Sequence, residues 1–255
     1  MSDDLILVEK KDYIGKIIFN NGSLNILNIA MMEEINKALD DFLADTTLKV
    51  VVITHQGKAF SAGVDVGEHM GDVAKKMLNV FHGMFKRLNQ VKIPTIACVE
   101  GAALGGGCEI AAFCDIVLAS DKAKFGNPEI KVGVFPPISA VIFPMILGEK
   151  KAYELILQGE IINAEEAHRI GLVNHVFPLE SYEKEVSAFL KRFTKLSRVV
   201  LLYTKKATKL SMESNFDEKL DKVEDLYLNQ LMKTFDANEG LKAFLEKRSP
   251  NWENR

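Results

Sequence analysis

Hydrophobic positions along this chain switch repeatedly between a strand period and a helix period. Leu5 to Glu9 and Lys16 to Phe19 read as two strands, and the intervening Asp12-Tyr13-Ile14-Gly15 is a hairpin signal. A turn-rich link, Asn20 to Leu27, follows. Asn28 is placed to cap a helix over Ile29 to Leu43, in which Met31, Ile35, Ala38, Leu39 and Phe42 recur at helical spacing. Lys49 to Thr54 is a β-branched run suited to a strand buried on both faces, and Thr95 to Val99 is a second. Val73 to Leu88 lies between them with helical spacing. Asp115 to Ala119 is a further strand, and Ala140 to Leu147 and Lys150 to Gln158 read as helices. Asn163 caps an acidic first turn, Gly171 ends that helix, and Leu172 to Val176 reads as a strand. From Ser181 on, the pattern is helical: about Glu180 to Leu196, Arg198 to Met212 and Phe216 to Phe235, with a short helix around Leu241 to Lys247. Strand and helix alternate first, and a helical region closes the chain, so the class is α/β.

Composition narrows the setting. The 255 residues are 47% hydrophobic, enough for a sizeable core, with a net charge of −3 and no concentrated basic stripe that would favour nucleic acid. No run reaches the roughly 20 apolar residues that span a bilayer, and MSDDLILVEKK lacks the order of a signal peptide, so a cytoplasmic protein is expected. Cys98, Cys108 and Cys114 are odd in number and sit in apolar sequence, which suits buried thiols. No Cys/His spacing forms a metal site.

The chemistry concentrates between Gly101 and Glu129. Gly105, Gly106 and Gly107 precede the start of a buried helix. Three glycines are costly in a regular element, but they let backbone pass close to a ligand and let first-turn N–H groups point at an anion. Glu109 lies on that first turn in apolar surroundings, where an unpaired charge is expensive. Glu129 follows the Asn127-Pro128 loop. Cys108 has no evident histidine base beside it, so packing is its expected role. A small-residue loop, Gly57 to Asp65, follows an earlier strand, so two loops are positioned to offer N–H groups to one oxygen. After Glu129, Phe135-Pro136-Pro137 breaks regular structure and predicts a stiff apolar wall.

KAFSAGVDV, the stretch PTIACVEGAALGGGCEIAAFCDIVLASDKAKFGNPEIKVGV, AEEAHRIGLVNHVFP and EGLKAFLEKR together resemble the crotonase (enoyl-CoA hydratase/isomerase) superfamily over nearly the whole chain. The resemblance implies a crotonase-like spiral of ββα turns with a C-terminal helical trimerisation region. It divides the chain into a core over residues 1–195 with an acyl-CoA site and an oligomerisation region over 196–255. It implies a homotrimer or dimer of trimers and an acyl-CoA thioester substrate, with no separate cofactor and no metal. By position it makes Glu109 and Glu129 the catalytic pair and Ala62 and Gly106 the oxyanion-hole donors. Ser61, Asp65, Gly105, Phe135, Pro137 and Ile138 fall at substrate contacts, and Phe244 and Lys247 match positions that approach CoA from a neighbouring subunit. With both glutamates present, hydration is the leading activity.

The departures bear on the acyl group. Where short-chain hydratases carry a glycine-rich run, this chain has Gly133 to Ala140, with Phe135, Pro137 and Ile138 in place of small residues. The early Arg/Lys-Pro of the family is Asn21-Gly22 here. LNILNIAMMEEI, AFSAGVDVGEH and EIKVGVFPP resemble the cyclohexa-1,5-diene-1-carbonyl-CoA hydratases of anaerobic aromatic degradation more than the fatty-acid enzymes. The alternatives are a linear enoyl-CoA or methylglutaconyl-CoA-type hydratase, then a double-bond isomerase. A non-catalytic RNA-binding member of the superfamily is the alternative from another class.

Overall fold

The computed structural model describes residues 4–69, 73–210 and 229–255. The chain opens with an antiparallel hairpin, β1 (Ile6–Lys11) and β2 (Ile14–Phe19). Its turn is tighter than the pattern predicts. Asp12 and Tyr13 both take positive φ, 52° and 66°, as a two-residue hairpin turn of matching twist requires. Helix α1 (Ile29–Ala44) is capped twice: Met31 N–H donates to the Asn28 side chain at 2.9 Å, and Ile29 N–H donates to the Glu68 carboxylate at 2.8 Å.

Three strand–strand–helix units follow. The first is β3 (Val50–His55), β4 (Ala59–Ser61) and α2 (Val73–Gln90). The second is β5 (Thr95–Val99), β6 (Ala102–Leu104) and α3 (Gly106–Phe113). The third is β7 (Ile116–Ser120) and β8 (Lys124–Gly126), then α4 (Pro137–Leu147) and α5 (Glu149–Gln158). A last half-turn adds β9 (Ile161–Asn163), α6 (Ala164–Arg169) and β10 (His175–Phe177). The first strand of each unit joins a sheet of order β1-β2-β3-β5-β7-β10, and the second joins a separate sheet of order β4-β6-β8-β9. Each turn of chain thus adds one rung to both sheets, which makes the fold a spiral of ββα turns. The final strand begins at His175 rather than at Leu172, because Leu172 and Val173 N–H groups are still bonded to the Ala167 carbonyl.

The core fills the space between the sheets and the helices, with Phe19, Phe60, Phe125, Phe143, Met31 and Leu39 fully buried. Helix α3 runs through it, which explains its run of small and apolar residues.

The C-terminal region is tied to this core by polar contacts. Helices α7 (Tyr182–Thr194) and α8 (Arg198–Leu210) meet the buried Lys49, whose Nζ donates to the Thr194 and Leu196 carbonyls at 3.0 and 2.8 Å. Arg198 Nε donates to the Leu48 carbonyl, and Lys205 reaches the Ile93 carbonyl and the Asp115 carboxylate. In α9 (Phe235–Leu245), the fully buried Asp236 accepts from Ser197, Glu253 N–H and Asn254 N–H. Most of the helix expected over Phe216 to Phe235 lies outside the described residues. No helix among the described residues is long and apolar enough to cross a membrane.

Candidate active site

The site forms where β6 ends. Gly105 takes φ 52° and ψ −127°, a conformation closed to side chains that carry Cβ. It also has no room for one, since a Cβ there would lie 2.9 Å from the Glu129 Oε1. The glycine therefore lets the Glu129 carboxyl rest directly on the backbone. Gly106 opens α3, so its N–H has no intrahelical acceptor.

Glu109, on the first turn of α3, is 1% exposed. Its Oε1 accepts the N–H groups of Ile138 and Ser139, each at 2.8 Å. Those are first-turn donors of α4, whose first residue is Pro137, a residue with no N–H to satisfy. Glu109 is thus the cap of a helix nearly 30 residues further on. Burial pushes its pKa from 4.5 to about 8 and the nearby Glu129 adds to the rise, while the two N–H donors pull the other way. Glu129 sits on the 3₁₀ turn Pro128–Val132. Burial raises it as well, against its own backbone N–H, the Asn127 side chain and His69. Its Oε2 is buried with no hydrogen-bond partner.

Behind the pair lies a polar bridge. Ser139 Oγ donates to Asn127 Oδ1 at 3.2 Å, and Asn127 Nδ2 donates to the Gly105 carbonyl at 3.4 Å. Asn127 and Ser139 are 1% and 0% exposed.

The second loop corrects one expectation. The Ala62 N–H is not free: it donates to the Leu24 carbonyl at 2.9 Å. Gly63 O and Asp65 N–H are taken by the two backbone bonds to Leu27, a parallel bridge centred on Val64. Val64 N–H has no acceptor among the described residues. A Cβ built on Gly106 would fall 2.7 Å from Val64 Cγ2, so the two residues are in contact. Where the two loops touch, the backbone N–H groups without an acceptor among the described residues are those of Val64 and Gly106, whereas that of Ala62 is taken by Leu24.

Ser61 and Asp65, expected at substrate contacts, make hydrogen bonds inside the loop. Ser61 is fully buried and its Oγ accepts Gly63 N–H at 3.1 Å, while Asp65 Oδ1 accepts Gly67 N–H at 2.7 Å. Both shape the loop from within. His69 ends the 3₁₀ turn Val66–His69 with its Nδ1 2.8 Å from the Asp65 carbonyl. Ile138 is partly buried against the core, and Pro137 starts α4, but Phe135 is 66% exposed and does not line the glutamate site within this chain. Lys247 is exposed beyond α9, and the side chain of Phe244 lies outside the described residues. The thiol of Cys108 is driven far up by burial, which leaves it a packing group.

Comparison with known proteins now identifies the family. Residues 9–255 match the family model described as enoyl-CoA hydratase/isomerase. The chain is 38% identical over 231 residues to a cyclohexa-1,5-dienecarbonyl-CoA hydratase of Thauera aromatica, covering 91% of this chain and 89% of that one. It is also 38% identical over 259 residues to a probable enoyl-CoA hydratase of Mycobacterium bovis, covering 100% of each. An enoyl-CoA hydratase crystal structure from Bacillus anthracis superposes with a TM-score of 0.92 at 28% identity, over 98% of this chain and 100% of that one. The chain belongs to the enoyl-CoA hydratase/isomerase family and is a hydro-lyase of the enoyl-CoA hydratase type.

Proposed function

We propose that this enzyme adds water to a conjugated cyclic dienoyl-CoA of the cyclohexa-1,5-diene-1-carbonyl-CoA type, using Glu109 and Glu129 as its acid–base pair. The observation that carries the acid–base part is the meeting of two buried carboxyl groups, one with a free oxygen, at a glycine turn that also exposes the Gly106 N–H. Val64 and Gly106 donate to the thioester oxygen. As water attacks the β-carbon, electron density moves through the double bond to that oxygen, and each fixed donor is worth about 3 kcal/mol there. Glu109, poised near neutrality, takes the water proton, and Glu129 delivers a proton from Oε2 to the α-carbon. Like charges in a dry pocket keep one proton on the pair. The product carries OH on the β-carbon and H on the α-carbon, so one water is consumed and the enzyme is restored by proton exchange.

The cyclic acyl group is supported by the Thauera relative and by the segment after Glu129. Pro136, Pro137 and Ile138 set a stiff backbone where the glycine-rich run is expected, and a wall ordered in advance suits a compact planar ring. Assembly as a trimer or dimer of trimers in the cytoplasm, with Phe244 and Lys247 reaching the CoA of a neighbouring subunit, belongs to the same proposal. A panel of CoA thioesters followed by mass tests it. The expected result is gain of one water, with kcat/KM for the cyclohexadiene-carbonyl thioester above that for crotonyl-CoA. The ratio should fall when Pro136 and Pro137 are both changed to Gly. Each misfit methylene contributes about 1–3 kcal/mol, so discrimination is large but not absolute. A parent enzyme that prefers crotonyl-CoA removes the cyclic substrate and leaves the hydratase. Double-bond migration without gain of water replaces hydration by isomerisation.

A further inference from the structure

The bridge behind the two glutamates has a polarity. A side-chain amide presents an acceptor at one end and two donors at the other, and which end faces which neighbour is decided by the partners that demand it. At Asn127 both ends are demanded. The Gly105 carbonyl accepts and cannot donate, so it requires Nδ2. The Ser139 hydroxyl, 3.2 Å from the other end, supplies the proton that Oδ1 accepts. With the amide so fixed, its remaining N–H is the one available to the Glu129 carboxyl, which rests on the same Gly105. Ser139 has a second role through its backbone, since its N–H is one of the two donors on Glu109. One residue therefore touches both halves of the pair, Glu109 directly and Glu129 through Asn127.

We propose that Asn127 and Ser139 are positioning residues that set the two glutamates to different tasks, the Ser139 hydroxyl fixing which end of the Asn127 amide faces Glu129. The assignment deepens the two-glutamate reading above and rests on it. Without the hydroxyl, only the long 3.4 Å bond to the Gly105 carbonyl holds the amide, and a turned amide places an acceptor against the Glu129 carboxyl oxygen. That contact disfavours the ionised form and rotates the acid away from the α-carbon. The neighbouring titratable groups come from several elements. Helix α4 carries none, α3 supplies Glu109 and the neutral Cys108, the Val66–His69 turn supplies Glu68 and His69, Lys131 lies on the turn of Glu129 itself, and α5, packed against that turn, carries Glu149, Lys150, Lys151, Tyr153 and Glu154. Ser139 reaches Glu109 directly and Glu129 through Asn127, so a change there is read mainly on the two glutamates.

The test uses Ser139→Ala, which keeps the N–H on Glu109 and loses only the hydroxyl, together with Ser139→Thr, which restores a hydroxyl, and Asn127→Asp. Two readouts are taken on the full-length enzyme: the pH profile of kcat with the preferred thioester, and carbon-13 titration of glutamate carboxyls, assigned with Glu109→Gln and Glu129→Gln. For Ser139→Ala, kcat falls about tenfold with KM within about twofold, and Glu129 titrates about half a pH unit higher or more. Ser139→Thr returns both readouts toward the parent. Asn127→Asp sets a second carboxyl against Glu129 and raises its titration further. A Ser139→Ala variant whose Glu129 titrates as in the parent, or whose pH profile overlays the parent while only its melting temperature drops, overturns the proposal. The carboxyl titration separates this from failure of the functional reading. If the parent hydrates no thioester but the titration shifts as stated, the positioning stands and the reaction assignment falls.

Discussion

Glu109→Gln is expected to stabilise the fold and to abolish activity, and the first effect should appear only above acidic pH. The unfolded chain releases this proton near 4.5, whereas the folded chain holds it to about 8. Below 4.5 both states are protonated and the group contributes nothing to the pH dependence. Across the window the folded state binds more protons than the unfolded one, so stability falls by about 1.4 kcal/mol for each pH step and levels off above 8. The full window corresponds to about 5 kcal/mol as an upper bound, and sharing of the proton with Glu129 brings the expectation to about 3 kcal/mol. Glutamine carries no charge to desolvate, and its carbonyl oxygen can still accept the N–H groups of Ile138 and Ser139. Urea unfolding at fixed protein concentration, from pH 5 to pH 9, measures the difference between variant and parent. It should be near zero at pH 5 and reach about 3 kcal/mol by pH 8, while kcat drops more than about a hundredfold. A stability difference that does not change with pH, or a glutamine variant less stable than the parent above pH 8, would refute the claim that burial dominates at Glu109.

Three further outcomes are expected. Val64→Pro deletes an N–H that nothing else uses, so turnover should vanish with little change in unfolding, whereas Ala62→Pro breaks the bond to Leu24 and should cost about 1–3 kcal/mol of stability; a folded, active Val64→Pro would return the donor role to another group. Gly105→Ala drives a Cβ against Glu129 Oε1 at a positive φ, so a loss of about 1–3 kcal/mol and a fall in kcat larger than any rise in KM are expected from thermal melts and steady-state kinetics. Lys49→Met removes the ammonium that serves the carbonyls ending α7, and denaturant unfolding should register about 1–3 kcal/mol with parent-like KM.

Much of this architecture is legible in the sequence because long elements carry their own period. The β-branched runs at β3 and β5 and the apolar spacing of α1 and α2 need no tertiary information. The second sheet is different. Its strands have three residues each, too short for any alternation to show, so Ala59–Ser61 reads as part of a loop and the spiral is indistinguishable from a doubly wound sheet without the resemblance. The two glutamates stand out because a charge beside a glycine run in apolar sequence demands a reason. The donor in the second loop does not stand out, since every residue there has an N–H. Only the pairing with Leu24 and Leu27, set by the fold of a distant turn, determines that Ala62 is consumed and Val64 is spare. Ser139 is hidden by the opposite effect: one hydroxyl in the apolar run from Pro137 to Leu147 resembles a tolerated core serine. The available signal was Pro137, whose place at a helix start moves the first turn of α4 from Ala140 back onto Ile138 and Ser139, the two residues that hold Glu109. Reading proline only as a breaker gives a wall. Reading it as the first residue of a helix gives two N–H groups that need an acceptor, and the buried carboxylate at Glu109 is the acceptor in need of donors.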